Sequence, residues 1–148
     1  MNWAAQEHHF RWDGTLRDIY IAPTTMADWQ HVLTRLRHEP ALLDYRLDGT
    51  PTPLPATVKD MFAAAKSHAA TLACHQGKVA PACHFFSPGQ IEFDLDPRNV
   101  RSGHDLLDLR HFMTTLARAC GRTALLTHEN APELVIARVL PTGRMLWP

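Results

Sequence analysis

QIEFDLD, residues 90–96, is the stretch that decides the fold class. Ile91, Phe93 and Leu95 alternate with Glu92, Asp94 and Asp96, and a period of two puts the apolar and acidic side chains on opposite faces of a strand. Such a strand belongs to a sheet with one face covered and the other in water, which is the habit of antiparallel sheets. LLDYRLD, residues 42–48, repeats the pattern, with Leu43, Tyr45 and Leu47 on one side and Asp44, Arg46 and Asp48 on the other.

Outward from these two, further strand signals are bounded by turn residues. Residues 83–86 are placed to pair with 91–95 through Ser87-Pro88-Gly89, and 134–140 to pair with 144–147 through Pro141-Thr142-Gly143. TALLT, 123–127, reads as a short buried strand. Near the start, Phe10 and Trp12 precede Asp13-Gly14, and Ile19 and Ile21 follow, which predicts a hairpin.

Three segments open with Ser or Thr followed three residues later by an acid, the pattern in which side chains bond the free amides of a first helical turn. Thr25 with Asp28 leads a helix carrying Met26, Trp29, Val32, Leu33 and Leu36 on one face, stopped by Pro40. Thr57 with Asp60 predicts a longer one, with Val58, Met61, Phe62, Ala65, Ala69 and Leu72 in its stripe and Gly77 at its end. Its reverse side would then hold Ala63, Ser67, Ala70 and Cys74, small enough for close packing against another element or a partner. Ser102 with Asp105 precedes Leu106, Leu109, Met113, Leu116, Ala117 and Cys120, with Gly121 just beyond. The order hairpin, helix, strand, helix, hairpin, helix, strand, hairpin is α+β: a single domain over 1–148, a largely antiparallel sheet with about three helices mainly on one face.

The whole-chain arithmetic agrees. At 148 residues, 45% hydrophobic and 20% charged, the chain is long enough to bury roughly 68–70% of its unfolded surface. Fifteen basic residues balance 15 acidic ones, which argues against general nucleic-acid or membrane-surface binding, since phosphate affinity needs an excess of Lys and Arg. No apolar leader opens the sequence, no stretch approaches the roughly 20 apolar residues of a membrane span, and Cys74, Cys83 and Cys120 form no CxxC, so a cytoplasmic protein with reduced thiols is expected.

Most catalytic templates are missing. The seven glycines, at 14, 49, 77, 89, 103, 121 and 143, never cluster into a phosphate loop, the three serines lie outside any nucleophile turn, and HExxH is absent. No cofactor is expected. Ten histidines are the compositional oddity. CHQGKVAPACH, 74–84, holds four potential zinc ligands, but neighbouring residues diverge on either a strand or a helix, so each pair offers one ligand readily and not two. His104, Asp108 and His111 share a helix face opposite Leu109, Met113 and Leu116, a face that points to solvent unless covered. A small metal-dependent enzyme joining these to His84 or His128 is the alternative reading.

The clearest constellation is acidic: Asp44, Asp48, Glu92, Asp94 and Asp96 against one arginine, Arg46, on the wet side of two strands. Carboxylates two residues apart on a strand stand about 6.6 Å apart, too wide to share one divalent ion unaided. A stripe of like charge does suit a basic protein surface.

IEFDLDPRNV, then DLLDLRHFMTTLARACG, ALLTHENAPE and VIARVLPTGRMLW, together resemble small bacterial immunity proteins that neutralise contact-dependent or related polymorphic toxins. The likeness is strongest in the C-terminal half, with DWQHVLTRLR agreeing more loosely. It implies a non-catalytic cytosolic binder, monomer or weak homodimer, that occludes a cognate toxin domain, often a nuclease with a basic active surface. Glu92, Asp94 and Asp96 would then face the toxin.

Overall fold

The computed structural model describes residues 2–39 and 42–148, and places them in one antiparallel sheet backed by helices. In chain order the elements are α1 (Trp3–Gln6), β1 (Arg17–Ile21), α2 (Met26–Leu36), β2 (Leu43–Leu47), β3 (Thr50–Pro51), α3 (Val58–Ala65), β4 (Ala70–Cys74), β5 (Ala82–Cys83), β6 (Ile91–Leu95), α4 (Gly103–Cys120), β7 (Ala124–His128), β8 (Ala131–Val139) and β9 (Met145–Leu146). Among the described residues the sheet has nine strands in the order β3-β2-β4-β5-β6-β1-β7-β8-β9, every pair antiparallel.

The alternation in 91–95 and 43–47 is realised, and Ile91, Phe93, Leu95 and Tyr45 are buried. Their face meets α2 and α4, whose Trp29, Val32, Leu33, Leu106, Leu109, Met113 and Leu116 complete one core, where Phe93 meets Phe112 edge to face. All three helix-entry pairs are formed. Thr25 and Asp28 make a full capping box, and the hydroxyls of Thr57 and Ser102 accept from the amides of Asp60 and Asp105. Gly121, with φ 63°, ends α4 in the left-handed conformation that costs glycine least. Pro40, expected to stop α2, lies outside the described residues.

Three readings are corrected. The strand expected over 83–86 is only Ala82–Cys83, which meets β6 at Ala82 and Asp94, and Phe85, with φ 58°, takes the chain out of the ladder. The helix expected to run from Thr57 towards Gly77 ends at Ala65, and Ala70–Cys74 is the strand β4, paired with β2 and β5. ATLAC satisfies a period of two as well as 3.6, and Ala70, Leu72 and Cys74 face the core. No small-residue helix face therefore exists for a partner.

The N-terminal hairpin is also absent. Residues 3–10 are helical, and β1 sits in the middle of the sheet between β6 and β7. What holds the preceding segment is Arg17, 2% exposed, whose guanidinium donates to the carbonyls of His9, Arg11, Thr15 and Leu16 and to the Asp13 carboxylate. A buried charge satisfied by main-chain carbonyls fixes the chain as a clamp, in place of the ladder that a hairpin would have supplied.

Candidate functional site

The helices cover one face of the sheet; the other carries polar side chains in register. Asp44 opposes Ala73, Ala73 opposes Ala82, Ala82 opposes Asp94, Asp94 opposes Asp18, and Asp18 opposes Thr127, one row across six strands. Glu92 sits two residues along from Asp94, opposite Tyr20.

At the centre of this face is a hollow of about 160 Å³ lined by Asp18, Glu92, Asp94 and Glu129 together with Leu16, His84, Phe86 and Asn130. A shallower depression beside it shares Asp18, Glu92 and Asn130 and adds Tyr20, Gln90 and Pro132. Four carboxylates from β1, β6 and the β7–β8 turn thus converge on one spot. Asp18 is 5% exposed and accepts one hydrogen bond, from the Asn130 amide at 2.8 Å. Burial first, then the carboxylates of Glu92, Asp94 and Glu129, push its pKa up to about 6, so it is a weaker acid than an ordinary aspartate. Asn130, with φ 55°, makes the tight turn that aims its N–H at Asp18, and Glu129 accepts from the Leu16 amide.

The cationic counterweight is small. His84 Nε2 lies 2.9 Å from Asp94 Oδ2, and that hydrogen bond raises the imidazole above its ordinary value. The His84 ring also stacks on Phe86, which is 77% exposed, so an aromatic knob stands beside the acidic hollow.

Of the acids singled out from the sequence, Glu92 and Asp94 enter the hollow and three do not. Asp96 is held by Arg98 at 2.7 Å, which keeps its carboxyl below the usual carboxylate range, and caps a short turn. Asp44 pairs with Arg46 at 3.1 Å towards the far edge. Asp48 leaves the strand altogether: with φ 51° it starts the Asp48-Gly49 turn joining β2 to β3, and its carboxylate binds His68 and the Ala69 amide, which hold it below the usual carboxylate range. Asp18 and Glu129 were missed. Asp18 alternates with Ile19 and Ile21 and was readable as a wet-face acid; Glu129-Asn130 carries the turn chemistry of a two-residue connection.

The histidine clusters come apart. Cys74 and Cys83 are buried in the core, whereas His84 lies on the outer face and His75 is exposed at the strand end. His104 reaches Asp108 only at 3.7 Å. Among the described residues no three His, Cys, Asp or Glu side chains lie close enough to hold a metal ion. No helix among them is long and apolar enough to cross a membrane. No known protein family matches the chain, and neither a curated protein nor a solved structure matches it.

Proposed function

We propose that this chain is an immunity protein that binds a cognate bacterial toxin domain in the cytoplasm through the uncovered face of its sheet, seating a basic side chain in the hollow between Asp18, Glu92, Asp94 and Glu129. The observation that carries the reading is the convergence of these four carboxylates with one imidazole as counterweight, next to the exposed Phe86. An under-compensated acidic hollow gains most from a partner that brings its own cation, because a paired cation offsets both the burial of the Asp18 charge, the larger effect, and its repulsion by Glu92, Asp94 and Glu129. An exposed aromatic at its rim supplies the apolar anchor that tight protein interfaces concentrate near their centre. The sequence likeness to immunity proteins supports the same reading, and a toxin with a basic, nucleic-acid-binding surface fits the charge.

The test is to sequence the adjoining reading frames for a large secreted protein, to co-express its C-terminal domain with this chain, and to follow association kinetics of the purified pair. Adjoining frames that encode no toxic domain would also count against the reading. Growth should be restored, and a one-to-one complex should form with an association rate that falls as salt is added. Replacing Glu92, Asp94 and Glu129 together by Lys should slow association by about tenfold or more while the far-ultraviolet spectrum is unchanged. Toxicity that persists, or an association rate insensitive to salt and to the triple variant, would sink the proposal.

A further inference from the structure

The neutral total charge conceals two poles. While four acids gather on the open face of the sheet, the opposite side of the molecule carries a groove in which arginines outnumber acids. Its enclosed part, about 270 Å³, lies where the end of α2 and the start of β2 meet α4 and the residues after β4. It opens into a wider depression of about 830 Å³ that runs along α4 to the β8–β9 turn, and the two share Gln76, His111, Thr114 and Arg118. Arg35, Arg110, Arg118 and Arg144 line this continuous groove, as do three imidazoles, against two acids, Glu39 and Asp108.

The walls are set by the fold. The His75 amide donates to the Leu42 carbonyl, and the Gln76 amide to Val79, which fixes the loop after β4. An added Cβ at Gly77 would meet the Asp108 carboxylate, so this loop lies against that side chain of α4. Arg118 is held in place by donating Nε to the Pro141 carbonyl at 2.8 Å and Nη2 to that of Thr142 at 3.3 Å. Its Nη1 donates to no other group among the described residues. Arg35 likewise makes no side-chain hydrogen bond among them, and the enclosed end is floored by Leu36, Leu42, Leu43 and Phe112.

One anchored guanidinium, Arg118, and one exposed guanidinium free to turn, Arg35, above an apolar floor are complementary to a ligand with a doubly charged head and an apolar body, since Arg matches phosphate geometry with paired donors. The enclosed volume is near the lower end of the about 300–1,000 Å³ typical of small-molecule sites. We propose that this groove binds a small phosphomonoester. Its phosphate sits between Arg35 and Arg118 with imidazole donors from His75 and His111, and its apolar body lies on Leu36, Leu42 and Phe112. The site is remote from the acidic hollow, so it stands whether or not the sheet face binds a toxin.

The experiment titrates the isotope-labelled full chain with phenyl phosphate and follows amide resonances, with phenol and inorganic phosphate as parallel arms. Phenyl phosphate should shift the amides of residues 75–77 and 111–118 in a saturable way at millimolar concentration or below, leaving Asp18, Glu92 and Asp94 unmoved. Its affinity should exceed that of either fragment by about tenfold or more. The pair Arg35→Gln and Arg118→Gln should weaken it by a similar factor. Because Arg118 also holds the β8–β9 turn, Arg35→Gln alone serves if the pair disturbs folding, with a loss of about threefold expected from one charged contact in a solvated site. Overturning results are an absence of saturable shifts, shifts scattered outside the groove, an affinity that Arg35→Gln leaves unchanged, or inorganic phosphate binding as well as phenyl phosphate.

Discussion

Replacing Asp18 by Asn should make the protein more stable at neutral pH while weakening its proposed interaction. In the folded chain the Asp18 carboxyl titrates at about 6, against an ordinary 3.8. The native state therefore holds on to the proton over a range in which the unfolded chain has released it. Stability contributed by this residue falls as pH rises from about 4 to about 6 and stays at the lower level above that. The difference, 6 − 3.8 = 2.2 pH units, corresponds at 1.36 kcal/mol per unit to about 3 kcal/mol at neutral pH. Asn removes the charge and keeps an oxygen to accept from the Asn130 amide, so D18N should recover much of that amount. For a chain of this length it amounts to a rise in melting temperature of about 9 °C. His84 titrates above its ordinary value, so it adds a decline of the same sign at higher pH, and this should survive in the variant. Urea unfolding of both proteins at intervals between about pH 4 and pH 8 measures the effect: the curves should meet at the acid end and separate towards neutrality. Curves that run parallel throughout would show that the carboxylate is not penalised by its neighbours, and the account of the hollow would fall with that result.

Removing the Arg17 clamp should cost more than an ordinary surface change. Arg17→Met leaves four carbonyls without their shared donor and should lower stability by about 3 kcal/mol, with tryptic cleavage after Arg11 becoming rapid in the folded protein. Gly77→Ala forces alanine to φ 59° beside the Asp108 carboxylate, which can swing aside, so a loss of about 1 kcal/mol from backbone strain is expected in denaturant melts, and adding Asp108→Ala should change that loss little. Burial pushes the Cys74 thiol up to about 12 and Cys120 up to about 11, and Cys83 also rises. A chromogenic disulfide reagent at neutral pH should therefore modify only the half-exposed Cys120, slowly, in native protein and all three thiols after unfolding.

The elements legible in the sequence were those whose pattern admits one solution. Ser102 to Gly121 carries a cap, an amphipathic stripe and a glycine stop, and α4 follows it closely. The stretch after Thr57 failed because Ala65, Ala69 and Leu72 continue a helical stripe while Ala70, Leu72 and Cys74 equally satisfy a strand. Neither Gly nor Pro marks the break between Ala65 and Ala70, and the choice was made by pairing with β2. The site was half legible for a related reason. Local alternation assigns Glu92 and Asp94 to the wet face, but which acids become neighbours depends on sheet order. β1 lies beside β6 and β7, more than 70 residues away in the chain, so the meeting of Asp18 with Asp94 and Glu129 is a property of topology that no local window contains.

The two-residue strand β5 gives the molecule a narrow waist. On one flank lie β3, β2 and β4, on the other β6, β1, β7, β8 and β9, and among the described residues the pairings of Ala82 and Cys83 alone join their main chains within the sheet. Beneath the sheet the shared core holds the flanks together, with Trp29 contacting Phe62 and Phe85 and donating its indole N–H to the Gln90 carbonyl. A sheet stitched so thinly can change the twist between its two wings without breaking a ladder in either. Of the groups around the acidic hollow, Asp94 is the β6 partner of Ala82, and His84 and Phe86 follow directly on β5, so a torsion of the wings would reach that surface through one carboxylate, one imidazole and one aromatic ring.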